Sequence, residues 1–145
     1  MEPKIWGPST WIFLHLLSMA YPDKPNPEDI KAHLTFLFAL AKVLPCDICK
    51  DEFSKQLNSN IMQEVLSSKE TYMKFLFNVH NDVNKRNNKP VLTYNQFIDV
   101  YKSIMDSNSF SPIDIKRQSK IYKYLLIAVV LSFASYIIYK NRQSL

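Results

Sequence analysis

The chain contains a single glycine, Gly7, in 145 residues. Tight hairpin turns, bulges and phosphate-cradling loops lean on glycine, because it alone enters positive φ without steric cost. Its near absence disfavours a β-rich fold with many tight turns. It also excludes Gly-rich loops of the Rossmann or P-loop kind. What remains are helical periods separated by proline, asparagine and serine. A first helix is predicted from about Ser9 to Ala20, with Trp11, His15 and Met19 one turn apart. The turn Tyr21-Pro22-Asp23-Lys24-Pro25 ends it. Asn26-Pro27-Glu28-Asp29 then supplies an N-cap, a proline at the first helical position and acids in the first turn. This second helix carries Ile30, Leu34, Leu37, Phe38, Ala41 and Leu44 towards a core and stops before Pro45.

A third helix is expected from Pro45-Cys46 through Phe53 to about Leu57. Ser67 or Ser68 caps a fourth, from Glu70 to about Arg86, and Asn87-Asn88 followed by Pro90 suits its end. Thr93-Tyr94-Asn95-Gln96 has the capping-box spacing and opens a fifth, with Phe97, Ile98, Tyr101 and Ile104 apolar. No strand pattern or internal repeat appears. The fold class is therefore all-α: a compact four- or five-helix bundle over residues 1–106.

The net charge of +5 is not spread evenly. Residues 1–115 carry 12 basic and 13 acidic side chains, whereas Lys116, Arg117, Lys120, Lys123, Lys140 and Arg142 stand beyond them without an acid. These flank an uncharged run of 16 residues, Tyr124 to Tyr139. That is a little short of the roughly 18–20 expected of a membrane span. Lys123 and Lys140 can snorkel, and Tyr122, Tyr124, Tyr136 and Tyr139 sit where an aromatic belt would. The basic excess reads as a membrane-surface feature and not a nucleic-acid footprint. The expected order is a domain over 1–106, a polar and basic linker over 107–120, a transmembrane helix over 121–139 and a short basic tail over 140–145. Met1–Trp6 does not read as a signal peptide, and six residues follow Tyr139, so the span would insert after synthesis. The domain is then expected to face the cytosol, on a host or virion membrane.

Two cysteines, Cys46 and Cys49, cannot build a secreted disulfide framework. Placed at a helix start, Cys46 would be stabilised as a thiolate by unpaired N–H groups and the dipole. An i, i+3 disulfide there is easily formed and re-reduced. Structural thiols remain open as a reading. So does half a zinc site, which would need two of His15, His33 and His80. His15 lies one turn after Trp11 on an otherwise apolar face, where a histidine is more often core than ligand. His80-Asn81-Asp82-Val83-Asn84-Lys85 places asparagines, poor helix formers, inside a helix. His80, Asn84 and Val83 then offer donors, acceptors and an apolar patch suited to a planar heteroaromatic ligand, with Lys85, Arg86 and Lys89 near for phosphates. A solvated helix end explains the same residues.

Taken together, Gly7-Pro8-Ser9-Thr10-Trp11 with His15, Tyr21-Pro22, Pro45-Cys46-Asp47-Ile48-Cys49 and His80-Asn81-Asp82-Val83-Asn84 ending at Lys89-Pro90 resemble the Erv/ALR family of FAD-linked sulfhydryl oxidases. The compact form resembles those of large DNA viruses. The resemblance covers about residues 5–105. It implies a helical bundle, usually a homodimer, that holds FAD. Trp11, His15 and Tyr21 would line the flavin and adenine. His80, Asn81, Val83, Asn84, Lys85 and Lys89 would grip adenosine and phosphates, and Gly7 would allow close backbone approach. Cys49 would stand nearer the flavin, and Cys46 would exchange with the incoming thiol. Electrons would pass from a dithiol protein to the Cys46–Cys49 disulfide, to FAD and to oxygen, giving hydrogen peroxide; no metal is implied. Two features depart from the family. A second, structural disulfide found in many members corresponds here to Phe77 and Tyr94, so that seam must rest on packing. Shuttle cysteines are missing, so a partner, such as a thioredoxin-like carrier, would be oxidised directly. A tryptophan position near the fifth helix appears as Tyr101, which could stack on adenine. The rival readings are a non-enzymatic tail-anchored adaptor and a small zinc-binding module.

Overall fold

The computed structural model describes residues 1–57, 59–106, 127, 131 and 140. Met1–Asp106 forms one compact unit of six helices: α1 (Pro3–Ala20), α2 (Pro27–Val43), α3 (Asp47–Gln56), α4 (Ser59–Val65), α5 (Lys69–Arg86) and α6 (Tyr94–Asp106). No strand occurs among the described residues. Six helices take the place of the expected four or five. The additional one, α4, is seven residues long. Its window is too short to show a 3.6-residue period, so packing and not propensity makes it a helix.

The helix starts follow the capping chemistry of the sequence. Asn26 Oδ1 accepts the Asp29 N–H at 2.9 Å, and Asp29 Oδ2 accepts the Asn26 N–H at 3.0 Å. Ser68 and Thr71 make the same reciprocal box at the start of α5. Thr93 and Gln96 do so before α6, with the Thr93 N–H donated to Gln96 Oε1 at 2.9 Å. Each box satisfies two of the donors that a helix start leaves unpaired. Asn88, just past α5, takes a left-handed φ of 53°, the conformation asparagine tolerates best after glycine.

α1 departs most from expectation, beginning six residues before Ser9. Pro3 is preset for a helix start, and Pro8 lies inside the helix. The proline removes one bond, to the carbonyl of Lys4, and both residues are exposed, so water can satisfy that oxygen. Cys46 is likewise the N-cap of α3, with extended φ −159° and ψ 118°, and does not lie in its first turn.

α1 packs along α5, α2 packs on α3, and α4 and α6 pack on α5. Leu37, Met62, Leu66, Tyr72 and Leu76 are wholly buried between them. Where the family resemblance puts a second disulfide, Phe77 of α5 meets Tyr94 of α6 edge-on, with ring centroids 5.4 Å apart. Phe97 packs on Phe77 at 5.3 Å and on Tyr101 at 5.0 Å. An aromatic cluster holds this seam.

The expected linker, the expected transmembrane helix over 121–139 and the basic tail lie outside the described residues, apart from 127, 131 and 140. Among the described residues no helix is long and apolar enough to cross a membrane. Phe97 is 2% exposed at the centre of the aromatic cluster. Phe97→Ala should therefore cost about 3–5 kcal/mol in urea unfolding. Ile61→Ala, at an exposed position, should stay within about 0.5 kcal/mol.

Candidate active site

Cys46 and Cys49 are joined by a disulfide, with Cα atoms 5.2 Å apart. The backbone N–H of Cys49 donates to Cys46 Sγ at 3.3 Å. A helix start thus directs an otherwise unpaired donor at a sulfur that becomes negative when the bond opens. Cys49 packs against the hydrophobic core. Cys46 is half-buried at the junction of α2 and α3.

The disulfide forms part of the wall of a cavity of about 610 Å³, within the roughly 300–1,000 Å³ of ligand pockets. α1 contributes Pro3, Trp6, Gly7, Thr10, Trp11 and Leu14, one continuous helical stripe. Leu40 and Leu44 come from α2, and Val79, Val83 and Asn84 from α5. Phe53 of α3 completes an apolar interior, while Asn87 and Lys89 add polar groups from beyond α5. Arg86 pairs with Glu52 across α5 and α3, and both line the cavity. Gly7 has no positive φ, and a Cβ added there would meet no atom within 4 Å. Neither strain nor a protein neighbour requires glycine there; its bare backbone is open to the cavity.

Next to this wall Trp11 lies flat on His80, with centroids 4.3 Å apart and planes within 4°. His15 Nε2 lies 2.9 Å from His80 Nδ1, and Phe97 and Tyr101 meet His15 edge-on at 4.8 and 5.0 Å. Burial, reinforced by His80, pushes His15 down to about 3. Burial, reinforced by the Lys89 ammonium, pushes His80 down to about 4. Both rings are neutral at pH 7, so one nitrogen of the contact donates and the other accepts.

The structure thus brings Gly7, Trp11, Cys46, Cys49, Val83, Asn84 and Lys89 to one cavity. His15, His80 and Tyr101 are not on its wall; the two histidines support Trp11, and Tyr101, 6% exposed, supports His15. Tyr101 therefore does not stand where it could stack on a ligand in this cavity. Three further candidates stand elsewhere. Tyr21 is 1% exposed in the core, donates to the Leu66 carbonyl at 2.9 Å and packs edge-on to His33 and Tyr72. Asn81 uses its amide on the backbone of Leu92, donating at 2.9 Å and accepting at 3.2 Å, which clamps the segment after α5. Lys85 is exposed and paired with Asp82 at 3.3 Å. Its neighbour Arg86 lines the cavity, as does Lys89.

Trp6, Thr10 and Phe53 escaped the sequence reading. Trp6 joins the stripe because the helix starts at Pro3, before the expected start near Ser9. The zinc reading loses its sulfur ligands to the disulfide, and His33 stands apart with Tyr21 and Tyr72.

A model of the Erv1/Alr family matches residues 8–102. A protein of Acanthamoeba polyphaga mimivirus named as a probable FAD-linked sulfhydryl oxidase is 35% identical over 106 residues, 72% of this chain and 74% of its own. An FAD-linked sulfhydryl oxidase of African swine fever virus is 28% identical over 110 residues, 75% of this chain and 91% of its own. The crystal structure of the yeast Erv1 core superposes with a TM-score of 0.60 at 28% identity, covering 66% of this chain and 79% of that one.

The buried histidine pair makes stability depend on pH. An unfolded histidine takes up its proton near 6.5, but His80 and His15 resist until about 4 and about 3. Between those values the unfolded state binds more protons, so stability falls as pH falls. The unfolding midpoint should drop steadily from about pH 6.5 to about pH 4, by up to about 1.4 kcal/mol per pH unit for each histidine. His80→Gln should flatten that slope, which thermal melts across the range will check.

Proposed function

The chain belongs to the Erv1/Alr family, and we propose on that premise that Cys46 and Cys49 are its redox pair and that the cavity beside them is its FAD site. The activity is that of an FAD-linked sulfhydryl oxidase. The observation that supports this assignment of residues is the disulfide standing in the wall of the cavity that the stripe of α1 and the end of α5 also line. The chemistry of the walls fits the cofactor. Apolar and aromatic side chains suit a fused ring, Gly7 leaves room beside a backbone, and Lys89, Arg86, Asn84 and Asn87 suit a diphosphate and ribose. FAD supplies the two-electron acceptance and the reaction with oxygen that no side chain can.

The protein's own part is position and thiol chemistry. Cys46, half-buried at the helix start, takes the attack of a substrate thiolate; Cys49, packed on the core side, leaves as a thiolate on the cavity wall. Trp11 shapes that wall and is held flat by His80, which His15 holds in turn. Arg86, free to exchange Glu52 for a phosphate oxygen, neutralises charge at the rim. The two electrons of the substrate dithiol are thereby left on Cys46 and Cys49 at the cavity wall, where FAD held by Asn84, Arg86 and Lys89 would supply the acceptor that oxygen reoxidises to give hydrogen peroxide.

Two further parts belong to this reading. The exposed Phe13 of α1, edge-on to Phe36 of α2 at 6.0 Å, offers an apolar patch for a homodimer. The apolar run 124–139 with its basic flanks anchors the chain to a membrane, with residues 1–106 facing the cytosol.

Cys49→Ser should keep FAD, giving a yellow protein, but abolish bleaching of the flavin by thiols; unchanged thiol turnover would place the redox pair elsewhere. Asn84→Ala and Lys89→Ala should each lower FAD affinity about tenfold, a change of about 1.4 kcal/mol read by titrating the apoprotein. Deleting residues 116–145 should move the protein from the membrane fraction to the supernatant with thiol oxidation intact. If the truncated chain stays with the membrane, the anchor lies elsewhere.

A further inference from the structure

We infer that the protein substrate docks through an apolar side chain next to its reactive cysteine, on a collar formed by Val43, Pro45 and Ile48 around Cys46. The inference rests on the sulfhydryl oxidase reading and says what kind of thiol it takes. Val43 is the last residue of α2 and is 70% exposed; Ile48 is the second residue of α3 and is 76% exposed. Pro45 between them is also exposed. Val43 lines no part of the cavity and Ile48 stands at its edge, so neither is spent on the core. Valine and isoleucine are weaker helix formers than alanine, leucine or lysine, and packing scarcely repays these two.

Covalent geometry keeps the collar close to the chemistry. Three peptide units separate Val43 from Cys46 and two separate Ile48 from it, so their Cα atoms lie within roughly 11 and 7 Å of Cys46. Charge gives the collar little sign of its own, since Asp47 is already paired with Lys50 at 2.9 Å. Single exposed hydrophobics are ordinary on a protein surface. Two such residues and a proline within a few positions of the attacked sulfur place exposed apolar surface where a thiol substrate reaches Cys46.

The occupant is an extended segment of a reduced protein carrying two cysteines, with a leucine-like residue beside the first. Its thiolate attacks Cys46 Sγ, forming a mixed disulfide and releasing Cys49 as a thiolate, while the substrate's proton goes to solvent. The substrate's second thiolate then attacks the mixed disulfide and frees Cys46. The substrate leaves oxidised by two electrons, which the Cys46–Cys49 dithiol now holds.

The test uses the full-length, FAD-loaded protein and three reductants. Two are synthetic peptides of one sequence with a Cys-x-x-Cys pair, differing only in leucine or glutamine after the first cysteine. The third is dithiothreitol, which is too small to use the collar. The wild type should show a KM about tenfold lower for the leucine peptide at similar kcat, the size expected for partly burying one leucine. Val43→Gln should shrink that ratio to about twofold or less, with dithiothreitol turnover and flavin content unchanged. Ile48 also touches the cavity, so Ile48→Gln is read only as the ratio between the peptides, and it too should fall. A wild type indifferent to the leucine, or a preference that survives both substitutions, overturns the collar. Absence of turnover with dithiothreitol would instead overturn the oxidase reading, and the collar with it.

Discussion

The site depends on the seam between α1 and α5, where Trp11 lies flat on His80 and His15 meets the same ring through a nitrogen–nitrogen contact of 2.9 Å. Two imidazoles in this much burial are costly to charge; His80 makes charging His15 harder still, and Lys89 does the same to His80. Kept neutral, they share one hydrogen bond, between His15 Nε2 and His80 Nδ1, and the stack adds an aromatic contact of about 0.5–1.5 kcal/mol. One consequence is rotational. Fixing Trp11 on His80 sets the angle of α1 about its own axis, so Pro3, Trp6, Gly7 and Thr10 all turn to the cavity. It also sets α5, which turns Val79 and Val83 the same way. A seam that looks like core packing therefore decides the shape of the binding wall.

The far end of α5 explains why so many asparagines crowd one stretch. Asn81 clamps Leu92 with both ends of its amide. The Asn84 carbonyl accepts the Lys89 N–H at 2.8 Å, folding the chain back so that Lys89 lines the cavity. Asn87 donates its side chain to the Val83 carbonyl at 2.9 Å, and Asn88 takes the left-handed turn. Residues that weaken a helix interior are here used to end one and to reverse the chain within a few residues. In the same region Phe77, Tyr94 and Phe97 hold α6 to α5 by ring packing. A covalent link would hold mainly by restricting the unfolded chain, whereas this cluster works through buried area in the folded one.

Much of this was legible in the sequence because its signals are local. The N-cap at Asn26, the capping box at Thr93, the cap expected at Ser67 or Ser68, which falls at Ser68, and the left-handed turn at Asn87-Asn88 each depend on residues within a few positions, and each is present. The pairing of distant motifs was legible only through the family resemblance. No periodicity links Trp11 to His80 or Cys49 to Val83. The misses have one cause, which is that tertiary context overrode a local rule. The first helix was expected from about Ser9, yet an exposed proline at position 8 costs one replaceable bond, and the stripe of α1 begins before it. α4 is too short to announce itself. Tyr21, Asn81 and Lys85 have the right chemistry for a ligand, and each also has a partner within the chain that no local pattern announces.

Pro45 shows how little sequence is needed to give one disulfide two faces. The same bond must meet a bulky protein thiol on one side and the cofactor cavity on the other, because the chain has no other cysteine to divide the work. Were α2 to run into α3 without a break, each residue would add 100° of rotation and 1.5 Å of rise, and both cysteines would follow the stripe of α2. Pro45 ends that stripe, since the residue before a proline is pushed out of the helical region. Leu44 takes ψ 134° and Cys46 takes ψ 118° on either side of it. Two extended residues are enough to re-aim the chain. Cys46 then stands at the exposed junction as a cap, and the first turn of α3 carries Cys49 inward to the core. Val43, left outside by the same break, and Ile48, exposed at the edge of the cavity, make the surface beside Cys46 apolar.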